Sequence, residues 1–124
     1  MSIADQLKFD KDGLIPAIVQ DHQTGELLMV AYMNKEAVER SLSDGRAWYW
    51  SRSRRQYWLK GESSGHFQHI KGVFVDCDAD ALLLKVEQVG GACHTGFRSC
   101  FFRRVEGDEL REVGDKVFDP NEKY

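Results

Sequence analysis

Three features of the sequence predict an α+β fold dominated by strands: a curled or barrel-like mixed sheet with one clear helix. From Ala47 onward, stretches rich in aromatic and branched residues follow one another: AWYWSR, QYWL, HFQHIKGVFVDCD, LLLKVEQV and FRSCFFRRVE. Clusters with turn chemistry (SRR, GESSG, DAD, GGACHTG, EGDE) separate them at intervals short enough to curl a sheet on itself. Only the stretch after Asn34 carries clear helical spacing.

The elements follow in order. LIPAIVQ (14–20) and ELLMVAYM (26–33) flank DHQTG, whose Asp21 and Gly25 supply turn chemistry, so the pair reads as a hairpin. Asn34 can then cap a helix over about residues 35–43, with Ala37, Val38, Ser41 and Leu42 on one face and Gly45 placed to end it. The strand-like segments after Ala47 complete the chain, and their spatial order is not written in their sequence.

The composition sets the bounds. The chain has 124 residues, 42% of them hydrophobic, with 17 Lys+Arg against 20 Asp+Glu and a net charge of -3. This length suits one domain, 1–124, with a core of its own, and no linker, repeat or low-complexity run divides it. The longest apolar runs fall far short of the roughly 20 residues that span a bilayer, and MSIADQLKFDKDG lacks the features of a secretion signal. A cytoplasmic location is expected. The mildly acidic balance gives no general attraction for nucleic acid or an anionic membrane.

Three groups of residues carry possible chemistry. Cys77, Cys93 and Cys100 stand 16 and 7 positions apart, without the CxxC spacing of a structural zinc site. Scattered cysteines are often small buried hydrophobes. Here, however, Cys93 lies in the glycine-rich GGACHTG beside His94, and Cys77 lies among aspartates, which favours metal ligation. Three thiolates would leave zinc an open fourth position for an activated water. His94, next to such a ligand, is the first candidate for proton transfer.

Asp76, Asp78 and Asp80 alternate in DCDAD, which in an extended strand sends three carboxylates to one face and Cys77 to the other. They either sit in solvent or surround a hard divalent cation. An EF-hand is excluded, because Ala81 stands where that loop requires glycine. Finally, RAWYWSRSRRQYWLK (46–60) interleaves five basic residues with aromatics and contains no acid. Either it is an amphipathic strand pair with solvated arginines, or its guanidinium groups bind phosphates while its rings stack on a base. The following GESSG offers backbone N–H groups and hydroxyls to an anion. His66 and His69 face opposite ways on a regular strand, so a shared site would need a bulge or turn between them.

WSRSR (50–54), WLKGESSGHFQ (58–68), DCDAD (76–80) and GGACHTGFRSCFFR (90–103) together resemble the phosphoribosyl-AMP cyclohydrolase family of histidine biosynthesis, over about Leu14 to Arg103. The resemblance implies one zinc ion per subunit on Cys77, Cys93 and Cys100, and one magnesium ion per subunit on Asp76, Asp78 and Asp80. It implies an intertwined homodimer in which Cys77 comes from the partner of the subunit supplying Cys93 and Cys100. The implied reaction is hydrolysis of the N1–C6 bond of the adenine ring in 1-(5-phosphoribosyl)-AMP, giving the formimino-carboxamide ribotide. On that reading Trp50, Arg52, Arg54, Lys60, Glu62, Ser64 and His66 are candidate substrate-binding residues and His94 a proton shuttle. The chain ends soon after these motifs, so no fused pyrophosphohydrolase domain is expected. The competing reading is a zinc-stabilised module that binds nucleic acid or a nucleotide without catalysis. A zinc deaminase is disfavoured by the absence of an H-x-E with P-C-x-x-C signature.

Overall fold

A computed structural model describes residues 2–123. After a short 3-10 turn at Ala4–Gln6, the chain forms the hairpin β1 (Ile15–Asp21) and β2 (Leu27–Met33), then helix α1 (Lys35–Asp44). A second hairpin, β3 (Trp48–Ser51) and β4 (Gln56–Leu59), leads to β5 (Gln68–Val75) and β6 (Leu82–Gln88). A third hairpin, β7 (Arg103–Glu106) and β8 (Glu109–Glu112), precedes the one-turn helix α2 (Pro120–Lys123).

The local chemistry explains these boundaries. Asn34 Oδ1 accepts from the Ala37 N–H at 2.9 Å, satisfying one of the donors left open at the start of α1. Gly45 ends the helix at φ 80, in the left-handed region where a side chain would be strained. Ala37, Val38 and Ser41 face inward as the periodicity predicts. Leu42 does not: it is 43% exposed, because Ser41 takes the inward position and bonds both the Ala37 carbonyl and the Trp48 N–H.

The central sheet has the order β2-β1-β6-β5, with β1 and β6 parallel and the other pairs antiparallel. Alternate residues of β1 (Ile15, Ala17, Val19) and β6 (Leu82, Leu84, Val86) are buried and form the core with Leu28, Met29, Met33 and Tyr49. A polar chain crosses this core. Tyr49 Oη donates to Gln68 Oε1 at 2.6 Å, and Gln68 Nε2 donates to Gln88 Oε1 at 2.8 Å. Burial accordingly holds the Tyr49 phenol well above its ordinary pKa.

The barrel-like closure expected from the sequence is not formed: among the described residues the sheet is open and four-stranded. On the outer side of β5 the neighbouring chain adds only the isolated Arg46–His69 bridge. The edge of β2 meets irregular chain, where Cys100 N donates to the Leu28 carbonyl and Ser99 Oγ to that of Leu27. For the same reason FRSCFFRRVE becomes a strand only from Arg103. The tail packs back on the Cys93 turn: Arg98 N donates to the Asp115 carbonyl, Val117 N donates to that of Gly96, and the Phe118 ring stands edge-on to His66.

Candidate active site

Strand β6 divides the candidate chemistry between its two ends. At its C-terminal end, Gly90–Gly96 turns back so that Cys93 and Cys100 become neighbours, close enough for Cys93 to influence the titration of Cys100. Cys93 Sγ also lies 2.9 Å from Thr95 Oγ1. Burial first, and then the neighbouring Cys93, push the Cys100 thiol up to about 12. The turn is held by Ala92 N and Cys93 N, which donate to the carbonyls of Arg98 and Phe97.

A cavity of about 470 Å³ opens beside these thiols. Arg54, Lys60, Glu62, Ser64, His94 and Cys100 all line it, so most of the candidate catalytic and substrate-binding residues converge there beside one of the cysteines. Lys60 is 5% exposed and donates from Nζ to the Ala92 carbonyl at 2.6 Å. Burial pulls its ammonium pKa below the ordinary value, against the opposing influence of Cys100 and Cys93. Gly61 turns the chain at φ 95 immediately after it, so the backbone of residues 61–64 forms one wall.

Three candidates lie elsewhere. Arg52 stacks on Tyr32, its guanidinium 4.0 Å from the ring centroid, and lines a neighbouring groove with Trp50 and Trp58. His66 is buried behind the turn against Phe118. His69 lies on β5 instead, where its backbone pairs with Glu87 of β6. Conversely, Met29, Val30, Trp58 and Ala92 line the cavity without having been singled out as site residues. Trp58 was visible in the aromatic run. The β2 pair was not, because adjacent Leu28 and Met29 are both buried and break the strand alternation.

At the N-terminal end of β6, Asp76, Asp78 and Asp80 do come together, with ligand oxygens all within 4.8 Å of one another. They do so on the tight turn that the DAD cluster signals, not through the alternation of an extended strand, and Ala79 has φ 63. Asp76 Oδ1 accepts from the backbone N–H groups of Asp80 and Ala81. Hydrogen bonding to Asp78 and then Asp76 raises the Asp80 carboxyl to about 6. Three exposed carboxylates this close form a set of hard oxygen donors that suits magnesium. The Cys93 and Cys100 sulfurs are soft donors that suit zinc.

Cys77 shares the acidic turn and is exposed. The seven residues of β6 separate it from Cys93, a span of about 23 Å for extended chain. Among the described residues the three thiols therefore do not form one cluster within a chain.

A profile of phosphoribosyl-AMP cyclohydrolase matches residues 29–102. The chain belongs to the phosphoribosyl-AMP cyclohydrolase family. A phosphoribosyl-AMP cyclohydrolase of Methanothermobacter thermautotrophicus is 65% identical over 115 residues, covering 91% of this chain and 83% of its own. One from Methanococcoides burtonii is 59% identical, covering 97% of each chain. A histidine biosynthesis bifunctional protein of Thermoanaerobacter pseudethanolicus is 57% identical over 99% of this chain, which spans 57% of that longer protein. As a member of this family the chain is an enzyme, and the matched segment contains both the cavity and the acidic turn.

Proposed function

We propose that this enzyme hydrolyses the N1–C6 bond of the adenine ring in 1-(5-phosphoribosyl)-AMP, giving the formimino-carboxamide ribotide of histidine biosynthesis. The observation that carries the reading is the convergence of Arg54, Lys60, Glu62, Ser64 and His94 on one cavity beside Cys100 and Cys93. Family membership supplies the substrate, and the cavity supplies groups suited to it.

Zinc would be held by Cys93 and Cys100 with Cys77 of the partner subunit, and when bound it supplies a water of lowered pKa at an open coordination position. Substitution at N1 makes the adenine ring cationic and so activates C6. The water oxygen bonds to C6, the C6–N1 bond breaks, and N1 ends protonated. His94, exposed on the cavity wall, is placed to take the proton from the water and return it to nitrogen. Trp58 offers a ring face to the base, while Arg54 and the 61–64 backbone bind phosphate. Arg52 and Trp50, in the adjoining groove, extend the same surface toward the second phosphate, and His66 supports the wall from behind. Asp76, Asp78 and Asp80 would hold magnesium.

The separation along β6 supports a homodimer, because one chain does not bring Cys77 to its own thiol pair and a three-thiolate zinc site would need a second copy. Ile18, Phe74 and Val75 are exposed next to the acidic turn and provide an apolar surface for the second copy. A small-molecule partner is favoured over nucleic acid, since the basic aromatic run is divided between cavities and Arg40 and Arg52 are stacked on Tyr57 and Tyr32. No helix among the described residues is long and apolar enough to cross a membrane. A cytoplasmic location accords with that and with the pathway.

The test is a spectroscopic assay of ring opening with phosphoribosyl-AMP, repeated after stripping metal with a strong chelator and after restoring zinc. Conversion that stops and returns supports the proposal. Folded, zinc-loaded protein without conversion overturns it.

A further inference from the structure

Lys60 stands among the candidate substrate-binding residues, but its surroundings differ from those of the exposed Arg54. Its side chain runs inward from the end of β4 and is 5% exposed. Its Nζ is fixed by the Ala92 carbonyl at 2.6 Å, immediately before Cys93, and lies 5.8 Å from the centroid of the Trp58 ring. Burial lowers its pKa, and Cys100 and then Cys93, once ionised, are the groups that oppose this. A buried ammonium needs a compensating negative charge, and among the described residues no carboxylate forms an ion pair with it.

We infer that Lys60 is a positioning residue of the thiolate centre: it pins the Cys93 turn through Ala92 and supplies the positive charge that balances three thiolates on one zinc ion. This rests on the zinc reading above. Three thiolates and a divalent ion leave one surplus negative charge, which a single fixed ammonium cancels. Glutamine, one bond shorter, keeps an N–H donor on the same side of the site but carries no charge. Groups that orient or balance metal ligands in this way commonly alter metal affinity by about 10- to 100-fold.

The experiment is competition for zinc between the full-length protein and a chromogenic chelator, using wild type, Lys60→Gln and Lys60→Met, with circular dichroism to confirm folding. Both variants are expected to bind zinc about 10- to 100-fold more weakly than wild type. Lys60→Gln, the variant less disturbing to packing, decides the matter if Lys60→Met fails to fold. Wild-type zinc affinity in Lys60→Gln overturns the inference, and a raised KM with unchanged affinity returns Lys60 to substrate binding. If wild type itself takes up no zinc, the underlying metal reading fails instead, a result distinguishable from the others.

Discussion

Arg98 reaches back 77 residues to pair with Asp21, tying the loop that carries Cys93 and Cys100 to the first hairpin. The same guanidinium donates from Nε to Glu26 Oε1 at 3.0 Å. Asp21 is 7% exposed, so removing its partner leaves a buried carboxylate dependent on the Gln23 and Thr24 N–H groups. Arg98→Ala is expected to cost about 2–3 kcal/mol, less than a fully buried pair because Arg98 is partly exposed. Urea denaturation of the variant measures this, and an unchanged midpoint would show that the ion pair is replaceable by water.

Asp21 also predicts a pH dependence. Burial alone would raise its pKa, but the Thr24 and Gln23 N–H groups and Arg98 outweigh burial and hold the carboxyl below its ordinary value. A depressed carboxylate pKa contributes stability that is fully present above about pH 4 and lost as pH falls through the lowered value. Melting temperature followed from pH 5 downward should therefore fall in wild type and fall less steeply in Asp21→Asn.

Tyr49→Phe removes the hydroxyl that donates to Gln68 and leaves a buried amide oxygen without that partner. The expected loss is about 1–3 kcal/mol, with the cavity intact. Calorimetry alongside the turnover assay separates the two effects.

Gly61→Ala places a Cβ 2.5 Å from the Phe67 backbone nitrogen at a residue with φ 95. Backbone atoms there cannot swing aside. A loss of about 2–4 kcal/mol is expected, with weakened substrate binding because the 61–64 wall must move. Thermal unfolding and KM together test it.

The shared-site proposal makes a numerical prediction. Cys77→Ser and Cys93→Ser should each be inactive alone. Mixed by refolding together, half the dimers are hybrids with one intact site each, so activity should recover to about a quarter of wild type. Continued inactivity of the mixture would place all three thiols in one chain.

Much of this arrangement was legible in the residues. Asn34 and Gly45 marked the helix because capping depends on one side chain and one backbone angle, both local. The alternation of Ile15, Ala17 and Val19 marked β1 for a similar reason. Arg54, Lys60, Glu62, Ser64, His94 and Cys100 could be named together through family motifs, whereas their convergence on one cavity depends on long-range packing. The DAD cluster marked a turn at Asp78–Asp80, but the left-handed backbone of Ala79 that gathers the three carboxylates was hidden, because no glycine signals it. Phe118 was hidden by its polar neighbours, and its contact with His66 joins segments that no local pattern relates.

The rigid span of β6 bears on how activity should respond to concentration. If each chain donates a sulfur at one end of that strand and requires one at the other, no isolated chain possesses a working site. Catalysis then inherits the association equilibrium: on dilution below the dimer dissociation constant, specific activity should decline with protein concentration, and zinc retention should decline with it.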